Sequence, residues 1–276
     1  MQAPLSSGEE RTMSTSSGEY LQQLFGLSSQ TAVVVGGTGV LGGGIAETLA
    51  RVGAHVVVVG RSREAGLQRV ESIVQQGGSA EFLAADVASE SDLRNLLQVL
   101  VEQGRVPDVL VNGAGTNAAT PFLEITEEEW DRIFRINLGS VRIACQVFGG
   151  YWLEQKRHGS IINIASLSAI TPLSRVFTYS ASKAAVLNLT KNLAREWAEA
   201  GIRVNALSPG FFPAEQNRKI LTQDRVESIM RHTPARRFGE PMELSGAVLL
   251  LASKAAGSFI TGENIVVDGG FSAMTI

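Results

Sequence analysis

Tyr179 and Lys183 stand four residues apart in Tyr179-Ser180-Ala181-Ser182-Lys183, the spacing that puts two side chains on one helix face. A phenol titrates near 10 unless a neighbour favours its anion, so alone it is a poor acid–base group at neutral pH. An ammonium on the same face is such a neighbour. Lowering the phenol by about 3 units asks for roughly 4 kcal/mol, within reach of a close, partly desolvated cation. The pair could then give a proton to a carbonyl oxygen or take one from an alcohol. Ser166, just past a β-branched run, could hold that oxygen beside the phenol, or could simply cap a turn.

A second constellation reads Val35-Gly36-Gly37-Thr38-Gly39-Val40-Leu41-Gly42. Gly37, Gly39 and Gly42 fit G-x-G-x-x-G, with a strand pattern before it and a helical pattern after it. Glycines let the backbone approach a pyrophosphate, whose charge then sits at the positive end of the following helix. About 20 residues on, a carboxylate would bind the ribose hydroxyls of NAD. The sequence there is Val59-Gly60-Arg61-Ser62-Arg63, with no carboxylate. Gly60 leaves room for a 2′-phosphate and Arg61 offers a planar fork that matches it. NADP is therefore the expected cofactor, with NAD the alternative.

Positioning these groups requires strands that end where they begin. Apolar, β-branched runs at 31–35, 55–59, 80–84, 109–111, 160–164, 203–207 and 264–267 read as strands covered on both faces. Helical patterns lie between them at 43–52, 63–76, 90–103, 127–155, 180–200 and 241–252, several closed by a glycine such as Gly53 or Gly104. Such alternation predicts an α/β fold, a single Rossmann-type doubly wound parallel sheet with helices on both faces. Residues 211–239, rich in Pro, Gln, Asn and Arg, interrupt it and read as a lid insertion. Residues 1–18, rich in Ser, Gly and Glu, read as a disordered tail, with Met13 as a second start; the domain would then span 19–276.

Composition excludes several other classes. A single cysteine, Cys145, forbids an intrachain disulfide, and its apolar surroundings suggest a buried structural thiol. Three histidines, His55, His158 and His232, have no zinc-ligand spacing. A formal charge of −3 without a basic stripe argues against nucleic acid, and no apolar run is long enough to cross a bilayer. The first residues do not resemble a secretory signal, so a soluble, reducing compartment, the cytoplasm, is expected.

Taken together, these residues resemble the short-chain dehydrogenase/reductase family from Thr31 to the C-terminus. The resemblance implies a nicotinamide-dependent oxidoreductase acting on a carbonyl or secondary alcohol. Its glycine motif falls on Gly36, Thr38, Gly39, Val40, Leu41 and Gly42, and its adenine-contacting pair on Asp86 and Val87. Its Asn-rich turn falls on Asn112, Gly113 and Ala114, and its nicotinamide turn on Pro209 and Gly210, with Phe212 just beyond. Asn137, Ser166, Tyr179 and Lys183 match the catalytic set, with Asn137 holding a relay water and Lys183 also binding the nicotinamide ribose. Val35 replaces the family's usual Thr, the middle glycine comes one place early, and Ala214 stands where a Thr often anchors the carboxamide.

On the substrate side, segments such as Glu215-Gln216-Asn217-Arg218 and Arg237-Phe238-Gly239 are similar to the family's sugar-acid branch, the mannonate oxidoreductases and gluconate 5-dehydrogenase-like enzymes. A sugar acid needs a carboxylate clamp and amide partners: Arg218 or Arg175 for the clamp, Gln216 and Asn217 for the amides. The same residues could instead only solvate a loop. A 3-oxoacyl-carrier-protein reductase and a catalytically silent NADP(H)-sensing protein are the alternatives. The resemblance also implies a homotetramer, with helices 127–155 and 180–200 pairing about one axis and residues 264–276 lining another. The apolar tail Phe271, Ala273, Met274 and Ile276 agrees with that expectation.

Overall fold

Seven short, largely β-branched runs pair in register to make one all-parallel sheet, ordered β3-β2-β1-β4-β5-β6-β7. The computed structural model describes residues 16–212 and 222–274. The strands are β1 (Thr31–Val35), β2 (His55–Gly60), β3 (Ser79–Ala84), β4 (Pro107–Asn112), β5 (Gly159–Ile164), β6 (Ile202–Pro209) and β7 (Asn264–Val267). All lie within two residues of the runs read from the sequence. Because side chains alternate across a strand, β1 feeds both faces: Val33 and Val35 enter one core, Ala32 and Val34 the other.

The first core takes Leu93 and Leu100 of α4 (Glu90–Glu102), Phe148 and Trp152 of the helical run 127–154, and Val186 of α8 (Phe177–Trp197). The second takes Ile45 and Leu49 of α2 (Val40–Arg51), Ile73 of α3 (Arg63–Gln75) and Val248 of α10 (Ser245–Ala252). Cys145 lies in the first core, and burial there pushes its thiol up to about 12, so it is the inert structural thiol expected.

Four details depart from the sequence reading. α1 (Ser17–Phe25) was not expected; a capping box starts it, with Ser16 N–H donating to Glu19 Oε2 at 2.8 Å and Glu19 N–H to Ser16 Oγ at 3.3 Å. Ser17 and Gly18, assigned to the disordered tail, are thus helical; the rest of that tail before Ser16 lies outside the described residues. α2 starts at Val40, because Gly42 and Gly44 are packing sites rather than loop: a Cβ on Gly44 would meet Pro241 Cβ at 2.8 Å. The helix expected at 127–155 is α5 (Glu127–Phe134), α6 (Ser140–Ala144) and α7 (Gly150–Glu154) joined by π turns at Arg135–Gly139 and Cys145–Gly149. In the first of these Ser140 N–H reaches back five residues to the Arg135 carbonyl.

The lid region contains a helix too, α9 (Gln223–His232), in which Thr222 Oγ1 accepts the Arg225 N–H at 3.4 Å. Asp224 in its first turn and Arg231 and His232 in its last complement the helix dipole, a signal the sequence carried. No helix among the described residues is long and apolar enough to cross a membrane.

Candidate active site

The sheet reverses direction of growth between β1 and β4, so a crevice opens outside their carboxyl ends. Two adjoining cavities occupy it and share Gly36, Gly39, Gly113 and Gly115. One, of about 450 Å³, is walled by Gly39 to Gly42, Thr116, Asn117, Tyr179, Lys183, Pro209, Gly210 and Phe212. The other, of about 280 Å³, is walled by Thr38, Gly60, Arg61, Asp86, Val87, Ala114, Arg135 and Ile136.

Glycine makes this crevice possible. Gly36 holds φ +79°, and a Cβ there would sit 2.7 Å from Ala114 N, so the loops after β1 and β4 touch through it. A Cβ on Gly42 would meet the Gly36 carbonyl oxygen at 2.2 Å. Gly39 caps α2 with no side-chain hydrogen bond, which leaves the first-turn amides and the positive helix end to a ligand. A pyrophosphate fits that cradle. At the far end Gly60 faces Thr38: a Cβ there would lie 2.8 Å from Thr38 Oγ1. Arg61 is exposed and has no hydrogen-bond or ion-pair partner among the described residues. Asp86 is turned to its own loop, Oδ1 accepting the Ala88 N–H at 3.0 Å.

Asn112 does not reach the crevice with its side chain. It is buried between strands, with Nδ2 donating to Asn163 Oδ1 at 2.9 Å and lying 3.6 Å from Cys145 Sγ. Of the expected cofactor turn, Gly113 and Ala114 line the cavities and Asn112 only supports them.

At the other end the Ser166 hydroxyl neighbours the phenol of Tyr179 and favours its anion, while Ser166 Oγ accepts the Ser168 N–H at 3.2 Å. Burial of Lys183 in the wall sends its Nζ to the Ile164 carbonyl at 2.7 Å, and it stands 5.8 Å from the Tyr179 ring centroid. Two of its three N–H donors remain for a ligand. Burial pushes the Tyr179 phenol above its ordinary value, against the smaller opposing effect of the Ser166 hydroxyl, and lowers Lys183 to about 8. The expectation that Lys183 depresses the phenol is corrected here. One Lys183 donor is taken by the Ile164 carbonyl, and burial of the phenol itself is the dominant influence, so the phenol stays protonated at neutral pH. A protonated phenol beside a hydroxyl is a proton donor for a carbonyl oxygen.

Asn137 is buried in the first π turn, a common place for functional residues. Its Oδ1 accepts the Thr116 N–H at 2.7 Å, and its Nδ2 donates to the Thr116 carbonyl at 2.9 Å and to Ser182 Oγ at 3.0 Å. Through these three bonds its amide clamps the loop after β4 to α8.

The substrate residues divide. Gln216, Asn217 and Arg218 lie outside the described residues. Arg175 is exposed, with a left-handed φ of +65°, and is not in the wall of the catalytic cavity. Thr116, Asn117 and Arg135 line the crevice although the sequence did not single them out. No local pattern marks them, since only the folded loop brings them there. A further cavity of about 430 Å³ opens at the amino edge of the sheet, around Asp108, Arg203 and Lys254. Lys254 Nζ pairs with Asp108 Oδ1 at 3.4 Å, and Arg203 Nη2 donates to the Ser253 carbonyl at 3.1 Å.

Residues 38–272 match the family model described as enoyl-(acyl carrier protein) reductase. The chain is 36% identical over 255 residues to the 2-dehydro-3-deoxy-D-gluconate 5-dehydrogenase of Bacillus subtilis (strain 168), covering 91% of this chain and 98% of that one. Among solved structures it superposes with a TM-score of 0.87 and 31% identity on a gluconate 5-dehydrogenase from Burkholderia cenocepacia J2315 in complex with NADP and tartrate, covering 92% of this chain and 100% of that one. A candidate D-mannonate oxidoreductase from Haemophilus influenza with bound NAD also superposes with a TM-score of 0.87, at 30% identity over 92% of this chain and 99% of that one. Glycine cradle, phenol–serine pair and relatives converge: the chain belongs to the short-chain dehydrogenase/reductase family and is an oxidoreductase that moves a hydride between a nicotinamide cofactor and a carbonyl or secondary alcohol.

Proposed function

We propose that this enzyme uses NADP(H) in preference to NAD(H) and acts on a keto-sugar acid or polyol. The observation that carries the cofactor reading is the pairing of Gly60 with an unpartnered Arg61 at the adenosine end of the crevice. The relatives support the substrate reading, being named for gluconate and mannonate chemistry. Tyr179 is the general acid in reduction and the base in oxidation, and Ser166 orients the reacting oxygen. Lys183 holds the nicotinamide ribose with its two remaining donors. The cofactor supplies or accepts the hydride at the carbon whose oxygen Tyr179 serves. Asn137 keeps the loop after β4 and α8 in register, and a relay water at its turn would reprotonate the phenol.

Screening NADPH and NADH oxidation against 5-keto-gluconate, simple ketones and acetoacetyl thioesters tests the reading. Turnover of the thioester alone would point to a carrier-protein reductase, and nucleotide binding without any turnover to a sensor. Arg61→Ala should weaken NADPH by about 10- to 150-fold, the worth of a hydrogen bond to a charged group, and leave NADH nearly unchanged. Equal losses for both cofactors would remove Arg61 from the reading. Gly60→Asp should move preference toward NADH, after Thr38 shifts to admit the new Cβ.

We also propose a cytoplasmic homotetramer. Leu123 is 96% exposed beside α5, Phe122 and Phe177 meet edge to face at 5.3 Å on the surface, and Met274 is exposed near the C-terminus. Apolar surface of this kind usually marks an interface. Phe271, expected in the same interface, packs within its own chain against Phe211 at 5.4 Å. Light scattering at micromolar concentration should give four times the chain mass; a monomer would refute the assembly.

A further inference from the structure

The loop leaving β4 is held on two sides. Asn137 grips the Thr116 backbone through both amide atoms, and Arg132 Nη1 donates to Thr116 Oγ1 at 3.2 Å. The next residue, Asn117, is thereby set in the wall of the cavity that also contains Tyr179 and Lys183. Its Oδ1 accepts the N–H of Ala118 at 2.7 Å, which fixes the direction of the carboxamide. Its two Nδ2 hydrogens have no acceptor among the described residues. An oriented donor at the reacting end of a crevice, on a braced loop, is a recognition element in search of an oxygen.

We infer that Asn117 is a specificity residue that donates to an oxygen substituent beside the reacting carbonyl, a neighbouring hydroxyl in a polyhydroxylated substrate. This rests on the keto-sugar reading proposed above. Asn117 belongs neither to the proton-transfer pair nor to the glycine cradle, so it selects the substrate without setting the chemistry. A neutral hydrogen bond of this kind is worth about 3- to 10-fold in affinity. A substrate lacking the hydroxyl forfeits that factor and leaves the donor unpaired.

The test compares NADPH-dependent reduction of 5-keto-gluconate with that of its 4-deoxy analogue, in the wild type, in Asn117→Ala and in Asn117→Asp. The Asp variant keeps the acceptor for Ala118 but has no N–H to give. The wild type should favour the hydroxylated ketone. Both variants should erase that preference through a KM raised about 3- to 10-fold on the hydroxylated substrate only. Turnover at saturation, KM for NADPH and the thermal midpoint should stay at wild-type values. A preference that survives in Asn117→Ala, or equal losses on both ketones, would overturn the assignment alone. A wild type that does not distinguish the two ketones would overturn the keto-sugar reading, and this assignment with it.

Discussion

Tyr179→Phe should reduce turnover by about 10²- to 10⁴-fold while leaving NADPH binding at its wild-type strength. The ring stays, so packing of α8 against the cavity wall is kept. The proton donor is removed with the hydroxyl, and the Ser166 side chain keeps its bonds to Ser168. The comparison needs saturating ketone and a separate cofactor titration by fluorescence. A loss below tenfold would show that another group protonates the oxygen. Because burial raises the phenol and leaves it protonated at neutral pH, reduction needs no prior proton uptake by Tyr179.

Lys183→Met should abolish most activity, weaken the cofactor, and at the same time make the cofactor-free protein more stable. The ammonium is buried with one carbonyl for company, and burial lowers it from 10.5 to about 8. The sign follows from proton counting. Between pH 8 and 10.5 the unfolded chain holds a proton that the folded one has released, so this group adds stability as pH rises through that window. Below about 8 the folded protein carries the full cost of the buried charge, on the order of 3 kcal/mol, less the bond to Ile164. Replacing it with Met should therefore raise the thermal midpoint of the cofactor-free enzyme by several degrees at pH 7. That advantage should shrink as pH approaches 10. A gap that does not change with pH would sink the argument. If Lys183 holds the ribose as proposed, the same titration predicts that reduction slows as pH rises through about 8, where Lys183 loses its charge.

The fold was legible because its signals are local. Valine runs mark both-face-buried strands, and Gly36 to Gly42 occur where a strand turns into a helix, so topology and cradle followed from spacing alone. α1 and α9 were missed although Ser16, Glu19, Thr222 and Asp224 carry their caps; each helix is short, and cap signals without a long apolar stripe are weak. What spacing could not convey was environment. Tyr179 and Lys183 do share a face, but burial decides their protonation, and burial depends on Ile164 arriving from β5. Asn112 looked like a cofactor residue from its position and proved to be a strand-to-strand tie. Asn117 and Arg135 carry no local sequence signal, and only the folded loop and the π turn bring them to the crevice.

The two bonds from Asn137 to Thr116 and the third to Ser182 weld the wall that carries Asn117 to the helix that carries the proton donor. α9 reaches the chain between Ser166 and Tyr179 through a peripheral contact, Arg225 Nη1 donating to Ser174 Oγ at 2.9 Å. The proton-donating helix is therefore braced by the loop after β4, and its tie to α9 among the described residues is a single peripheral bond. Changes in α9 can thus accumulate without disturbing the seat of the Tyr179 phenol, because only that one surface bond joins them.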